Sequence, residues 1–130
     1  MPTIPIRLKG EQRRRVTDEV AIDFLGTDGA RVLGTPHLIG LLEMTSRDSI
    51  LPLLDPGFDS VGTEVNVRHL AATPMGMEVR FTSEVIEADA RRVKFRVAAF
   101  DEKEQIADGT HERFVINVER FAKRLAEKRA

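Results

Sequence analysis

One apolar helix-forming segment constrains the fold of this chain more than any other feature. Thr35 stands directly before Pro36, which predicts a helix over 36–51 with Thr35 as N-cap and the proline at its first position. Pro52 disfavours a helical Leu51, so the helix should end there. On a wheel of about 100° per residue, one arc holds Leu38, Ile39, Leu42, Thr45, Ser49 and Ile50. As the one long helix of the chain, this segment should lie in the core.

Alternating apolar residues predict five strands around that helix. Val20, Ile22 and Phe24 form the first alternation, ahead of the helix. Four further runs follow the helix, at 61–71, 77–85, 93–99 and 106–118. In the first of these four, one face should carry Val61, Thr63, Val65, Val67 and His69.

The connections between these runs predict the architecture. The connectors 73–76, 88–91 and 101–104 are short, so the last strands should form an antiparallel meander, with Gly109 as a plausible bulge. The charged segment 119–130 predicts a short terminal helix or a frayed tail. This order of elements is typical of an α+β fold in which a curved antiparallel sheet wraps one long helix. Residues 1–130 should form a single domain of this kind.

Composition excludes several classes of function. The chain has 130 residues, a formal net charge of −1 and no cysteine. A near-neutral charge gives no reason to expect nucleic acid or an anionic membrane as a partner. Without cysteine there is no thiol nucleophile and no cysteine-bearing zinc site, and the three histidines lack metal-ligand spacing, so no metal is expected. No apolar run is long enough for a membrane span, and the N-terminus does not resemble a signal peptide, so a cytoplasmic location is expected.

Two side chains with acid–base chemistry are predicted to face the interior. Glu43 lies at the margin of the apolar arc, where it is either a general base or nucleophile or else a salt-bridged carboxylate at the core boundary. His69 shares its strand face with Val65 and Val67, and its imidazole can transfer a proton or donate a hydrogen bond to an acyl oxygen. The alternative for His69 is a core histidine bonded to a backbone carbonyl.

Thr35 is sufficiently explained as an N-cap, yet it also lies where free helix N–H groups can bind an oxyanion. Thr35 and Glu43 are eight residues apart, about 12 Å along a helix. A shared site therefore requires a glutamate that leans toward the N-terminus, a substrate that spans the gap, or a second subunit.

The remaining polar candidates have simpler explanations. His37 points away from the apolar arc and should be a solvent or interface residue. His111 and Arg113 share one strand face, where the arginine can bind a phosphate or simply solvate an edge. The basic run 13–15 is interpreted as a solvated segment.

Several short motifs together carry a resemblance to a known family. They are Gly34-Thr35 leading into LIGLLE at 38–43, Gly62-Thr63, HLAATPMG at 69–76, DGTHER at 108–113 and VERF at 118–121. In this arrangement the chain resembles hot-dog fold acyl-CoA thioesterases, specifically the group of fluoroacetyl-CoA thioesterase. The joint spacing of Thr35, Glu43 and His69 makes the resemblance specific.

The resemblance implies a homodimer with its active sites at the subunit interface, hydrolysing an acyl-CoA without a cofactor. Thr35, Glu43 and His69 match the catalytic residues of the family by position. Gly62 matches a glycine close to the acyl group, and Arg113 an arginine on the coenzyme side. A dimer would also resolve the separation of Thr35 and Glu43.

One segment departs from the family. The family's fluoroacetyl-CoA thioesterase carries phenylalanines before the threonine that cover the acyl pocket, whereas residues 26–34 contain no aromatic residue. We therefore expect a thioesterase for an acyl-CoA other than fluoroacetyl-CoA. Two rivals stay open: a hot-dog dehydratase or hydratase, and a non-catalytic dimer that binds acyl-CoA.

Overall fold

Five strands and two helices make up the computed structural model, which describes residues 3–130. Residues 1 and 2, where the predicted domain begins, lie outside the described residues. In chain order the elements are β1 (Lys9–Arg15), α1 (Thr35–Ile50), β2 (Phe58–His69), β3 (Glu78–Asp89), β4 (Arg92–Phe100), β5 (Gln105–Asn117) and α2 (Val118–Arg129). Short 3-10 turns at Asp28–Ala30 and Leu51–Leu53 flank α1.

All five strands belong to one antiparallel sheet in the order β1-β3-β4-β5-β2. The predicted meander is confirmed for β3, β4 and β5, which pair in sequence. The connector 73–76 does not form a hairpin, because β2 pairs with β5 at the far edge of the sheet. With the long helix α1 against the sheet, the predicted α+β class is confirmed.

The helix α1 supplies the centre of the core. Its side chains Leu38, Leu42, Thr45 and Ile50 are buried as predicted, while Ser46 is buried where Ile39 and Ser49 are only half-buried. The sheet covers them with Val79, Phe81, Val85, Val93, Phe95 and Val97. Each fully buried large apolar side chain contributes about 1.5–3 kcal/mol by leaving water, so this interface holds α1 in place.

The prediction of a first strand around Val20 and Phe24 is wrong. That segment forms a turn with a single bridge from Ala21 to Leu33, and the first strand is β1 instead. Alternation failed to reveal β1 because its half-buried positions are not apolar. At Gly10, a Cβ would lie 2.7 Å from the Cβ of Ser49, and Gln12 donates to the carbonyl of Leu41.

A β-bulge divides β2 into two halves of opposite parity. The register against β5 shifts between Gly62 and Glu64, so Thr63 is the extra residue. The prediction that Val61 shares a face with Val65 and His69 is therefore wrong, because Val61 pairs with outward-facing Phe114. The bulge instead puts Gly62 and His69 on the same face, toward α1.

Gly109 is not a bulge, because the described pairings on both sides of β5 run through it without a shift. A Cβ at this position would lie 2.1 Å from the carbonyl oxygen of Asn66, so glycine is needed for the close approach of β2.

The terminal helix is confirmed as α2, which begins where the side chain of Asn117 accepts a bond from the Arg120 amide at 3.0 Å. Neither α2 nor any other helix within residues 3–130 is long and apolar enough to cross a membrane.

Candidate functional site

Thr35 and His69 meet where α1 begins and β2 ends. The hydroxyl Oγ1 of Thr35 lies 2.8 Å from Nδ1 of His69. The predicted N-cap role of Thr35 is wrong, because α1 is capped by Gly34 and makes no side-chain cap bond within the described residues. Thr35 is already the first helical residue, so its side chain is free to reach β2.

The ring of His69 combines partial burial with an unused nitrogen. Burial lowers the pKa of His69 below its ordinary value of 6.5, and the nearby backbone of Ala71 opposes this only in part. The imidazole is therefore neutral at pH 7. Its Nε2 is buried and has no hydrogen-bond partner within residues 3–130. A buried ring nitrogen without a partner is expected to form a hydrogen bond with a group that binds later, and a substrate oxygen or a water can do so.

An apolar cavity of about 460 Å³ opens beside Thr35 and His69. The described residues that line it carry no charged side chain. Its apolar wall is formed by Ile22, Phe24, Val32, Leu33, Leu70, Ala71 and Ala72. Phe24 is 77% exposed at this cavity, which corrects the prediction that it packs on one strand face with Val20 and Ile22. Phe24 precedes the aromatic-free segment 26–34 by two residues, so the composition of that segment alone does not reveal it.

Glu43 lies two turns further along α1 in a separate cluster. Its Oε2 is 3.6 Å from Nη1 of Arg113, and 32% of its side chain is exposed. Gly62 faces it from β2, where an added Cβ would stand only 2.6 Å from Oε2. The glycine thus leaves the space that the carboxylate occupies.

Arg113 is buried beneath Glu43, with only 3% of the residue exposed. Its Nε donates to Oγ of Ser60 and its Nη2 to the carbonyl oxygen of Ser60, both at 2.7 Å. Burial lowers the pKa of Arg113, and the charges of Glu43 and Asp59 oppose that change. A guanidinium stays charged in such surroundings, so it supplies Glu43 with a counter-charge.

Two further residues of this cluster were not predicted. Ser60 anchors Arg113, and Nε2 of His111 lies 3.2 Å from Nη1 of Arg113. Strand parity does place His111 beside Arg113 on β5. Ser60 is hidden by the bulge, since uninterrupted alternation puts it on the opposite face from His69.

Comparison with known proteins identifies the family of this chain. The model of the fluoroacetyl-CoA-specific thioesterase family matches residues 16–119 of this chain. A fluoroacetyl-CoA thioesterase from Streptantibioticus cattleyicolor is 40% identical over 97 residues, which cover 75% of this chain and 70% of that protein. The chain belongs to this thioesterase family.

Solved structures support the same placement. A fluoroacetyl-CoA thioesterase superposes with a TM-score of 0.88 at 31% identity, covering 98% of each chain. A hot-dog-like protein from Thermanaerovibrio acidaminovorans has a TM-score of 0.87 at 23% identity, covering 95% of this chain and 92% of that one. At that identity the second likeness concerns the fold alone. The predicted hot-dog fold and family are confirmed.

In this family member the two clusters stay apart within one chain. Thr35 and His69 share one cavity, whereas Glu43 lies about 12 Å along α1 beside Gly62 and Arg113. Within residues 3–130 no group of three or more His, Cys, Asp or Glu side chains is placed to hold a metal ion. The Thr35–His69 and Glu43–Arg113 pairs offer acid–base chemistry and hydrogen bonding.

Proposed function

We propose that this thioesterase hydrolyses the thioester of a small acyl-CoA to a free acid and CoA, at sites shared between the two subunits of a homodimer. Family membership supports thioester hydrolysis. The observation that carries the assignment to residues is the Thr35–His69 pair, whose unpartnered Nε2 adjoins an uncharged apolar cavity. The predicted cytoplasmic location stays a prediction.

The separation of the two clusters supports the shared site. The strand β2 is 12 residues long, lies at the sheet edge and is exposed on both faces from Gly62 to Asn66. Such an edge is a template for pairing with a second copy. A two-fold antiparallel pairing of β2 centred on Asn66, with Thr63 as the extra residue of each strand, puts His69 opposite Gly62 of the partner subunit, and both face the helices. Each site then takes Thr35 and His69 from one subunit and the carboxylate of Glu43 from the other.

In the chemistry we propose, Glu43 accepts a proton from a water whose oxygen attacks the thioester carbonyl. The Thr35 hydroxyl donates to Nδ1 of His69, which fixes the proton of the neutral ring on Nε2. That N–H and the N-terminal end of α1 stabilise the developing oxyanion. As the oxyanion collapses, the carbon–sulfur bond breaks and Glu43 returns its proton to the CoA thiolate. The buried guanidinium of Arg113 supplies the counter-charge of the Glu43 carboxylate.

The cavity supports an apolar acyl group larger than fluoroacetyl. Its lining is uncharged and its volume is about 460 Å³, with Phe24 at its opening. Branched, aliphatic or aromatic acyl groups bury apolar area there, whereas a two-carbon acyl group leaves most of the cavity empty.

Release of free thiol from a panel of acyl-CoAs tests the proposal, with Glu43→Gln and His69→Ala measured in parallel. We expect one or more apolar acyl-CoAs to be cleaved faster than fluoroacetyl-CoA, and both variants to lose activity. Thiol release that neither substitution changes would contradict these roles. Binding without cleavage would favour the non-catalytic dimer, and hydration or dehydration of the acyl chain with an intact thioester would favour the dehydratase.

A further inference from the structure

His111 is a buried histidine that the chemistry above does not use. It lies on β5 with 1% of its surface exposed, and its ring stacks on Phe95 with centroids 6.1 Å apart. It does not line the cavity beside His69. Fully buried positions are more often filled by apolar side chains, so the polar ring requires an explanation.

Both ring nitrogens of His111 have partners that fix the tautomer. Nδ1 lies 2.8 Å from the carbonyl oxygen of Glu64, which can only accept, so Nδ1 carries the proton. Nε2 lies 3.2 Å from Nη1 of Arg113, which can only donate, so Nε2 accepts. The ring is neutral in this arrangement. Burial, together with the charge of Arg113, lowers the pKa of His111 and favours the same state.

The bond from Arg113 to His111 completes the fixation of the guanidinium. Ser60 holds Nε and Nη2, and Nη1 is the nitrogen that both His111 and Glu43 approach. The Oε2 atom of Glu43 lies 3.6 Å from Nη1, and 32% of the Glu43 side chain is exposed, so the position of Nη1 influences where the carboxylate rests. The carbon Cε1 of His111 also borders the space at Gly62, 3.2 Å from an added Cβ.

We propose that His111 is a positioning residue, whose Nε2 holds Arg113 so that Nη1 keeps the carboxylate of Glu43 over Gly62. His111 touches neither the substrate nor the reacting atoms and acts through Arg113 alone. The catalytic part of this inference rests on the proposed function, because it assumes that Glu43 takes part in hydrolysis. The placement of Glu43 by Arg113 is a structural claim and does not depend on the proposed function.

Two substitutions separate the two bonds of the ring. In His111→Gln the amide oxygen reaches the place of Nε2 and can accept from Arg113, but the bond to Glu64 is lost. In His111→Asn the shorter amide reaches the place of Nδ1 and can donate to Glu64, but Arg113 loses its acceptor. The two variants carry the same amide group, and each loses the hydrogen bond that the other keeps.

Steady-state thiol release and crystal structures of both variants test the proposal. We expect His111→Asn to lower kcat about 10- to 100-fold with KM little changed, because a displacement of about 1 Å at a reacting group has effects of this size. His111→Gln should keep most of the activity. In the crystal structures the Glu43–Arg113 contact of 3.6 Å should persist in the glutamine variant and lengthen in the asparagine variant.

Equal losses in the two variants, or a loss confined to KM, would overturn the positioning role. If the unchanged protein cleaves no acyl-CoA, the proposed function fails while the structures still decide the placement of Glu43. An unchanged Glu43–Arg113 contact in His111→Asn overturns the inference whatever the activity.

Discussion

Among single residues, Gly62 is important because its missing side chain leaves room for the carboxylate of Glu43. The Oε2 atom of Glu43 occupies the place where any other residue would carry its Cβ, at 2.6 Å. The nearest atom is the far end of a flexible side chain, so an added methyl displaces the carboxylate, and it also comes within 3.2 Å of Cε1 of His111. The glycine is in this sense part of the site.

Gly62→Ala should lower kcat about 10-fold or more, because it moves the carboxylate by about 1 Å from its working position. The thermal midpoint should change by no more than a few degrees, as expected for a surface-side substitution. Gly29→Ala is the matched control, since an added Cβ there has no heavy atom within 4 Å in the described structure. Activity retained in Gly62→Ala would show that the placement of Glu43 is not critical.

The sequence predicts the acid–base residues of the site but not the residues that hold them in place. Glu43 and His69 were predicted to face the interior because helix and strand periodicity hold for them. Strand parity puts His111 beside Arg113, whereas the place of Ser60 depends on the bulge at Thr63, which no alternation in the sequence marks. The Thr35-Pro36 pair predicts a cap, and only the folded chain shows that α1 begins one residue earlier and that His69 is within reach of Thr35.

At the scale of elements, β2 connects the two clusters. Its first half supplies Ser60 and Gly62 to the cluster around Glu43, and its last residue, His69, joins Thr35. The bulge between Gly62 and Glu64 makes both halves face α1. Because β2 is also the edge strand, its exposed Val65 lies near the centre of the pairing that we propose for the dimer.

Val65→Glu should dissociate the dimer and abolish most activity, since two like charges would meet near the two-fold axis. Sedimentation velocity measures the mass, and thiol release measures the activity. Ile6→Glu is the control, because Ile6 is also an exposed apolar residue but lies beside β3, near the opposite edge of the sheet. A dimeric and active Val65→Glu variant would contradict the proposed pairing.

The elements themselves were largely predictable from local patterns. A strong apolar arc with proline at both ends predicted α1, and regular alternation predicted β3 and β4. The strand β1 was not predictable, because Gly10 and Gln12 fill its inner positions against the helix. Its packing depends on tertiary contacts that local periodicity does not encode.

For the whole molecule, the two lowered histidine pKa values link stability to pH. His69 and His111 take up protons less readily in the folded state than in the unfolded chain, whose ordinary pKa is 6.5. Below that pH the unfolded state therefore binds more protons, and stability falls as pH falls toward the folded values. The lowered pKa values of Asp59 and Asp101 add a further loss only near and below 3.8.

The thermal midpoint should consequently fall by a few degrees between pH 7 and pH 5. His111→Gln should reduce this fall, because one of the two groups is removed. His37→Gln, which removes an exposed histidine, is the matched control. Calorimetry measures the thermal midpoint of the unchanged protein at both pH values. A midpoint that does not change between pH 7 and pH 5 would contradict the neutral state of both rings in the folded protein.

The shared active site is tested most directly by mixing two inactive variants. Glu43→Gln and His69→Ala subunits are combined, dissociated and reassociated, and thiol release is measured on the mixture. Random reassociation makes about half of the dimers mixed, and a shared site leaves one intact site in each mixed dimer. With a shared site, the mixture should recover about a quarter of the activity of the unchanged protein. If Thr35, His69 and Glu43 of a site all came from one subunit, every site in the mixture would lack Glu43 or His69, and no recovery would be seen.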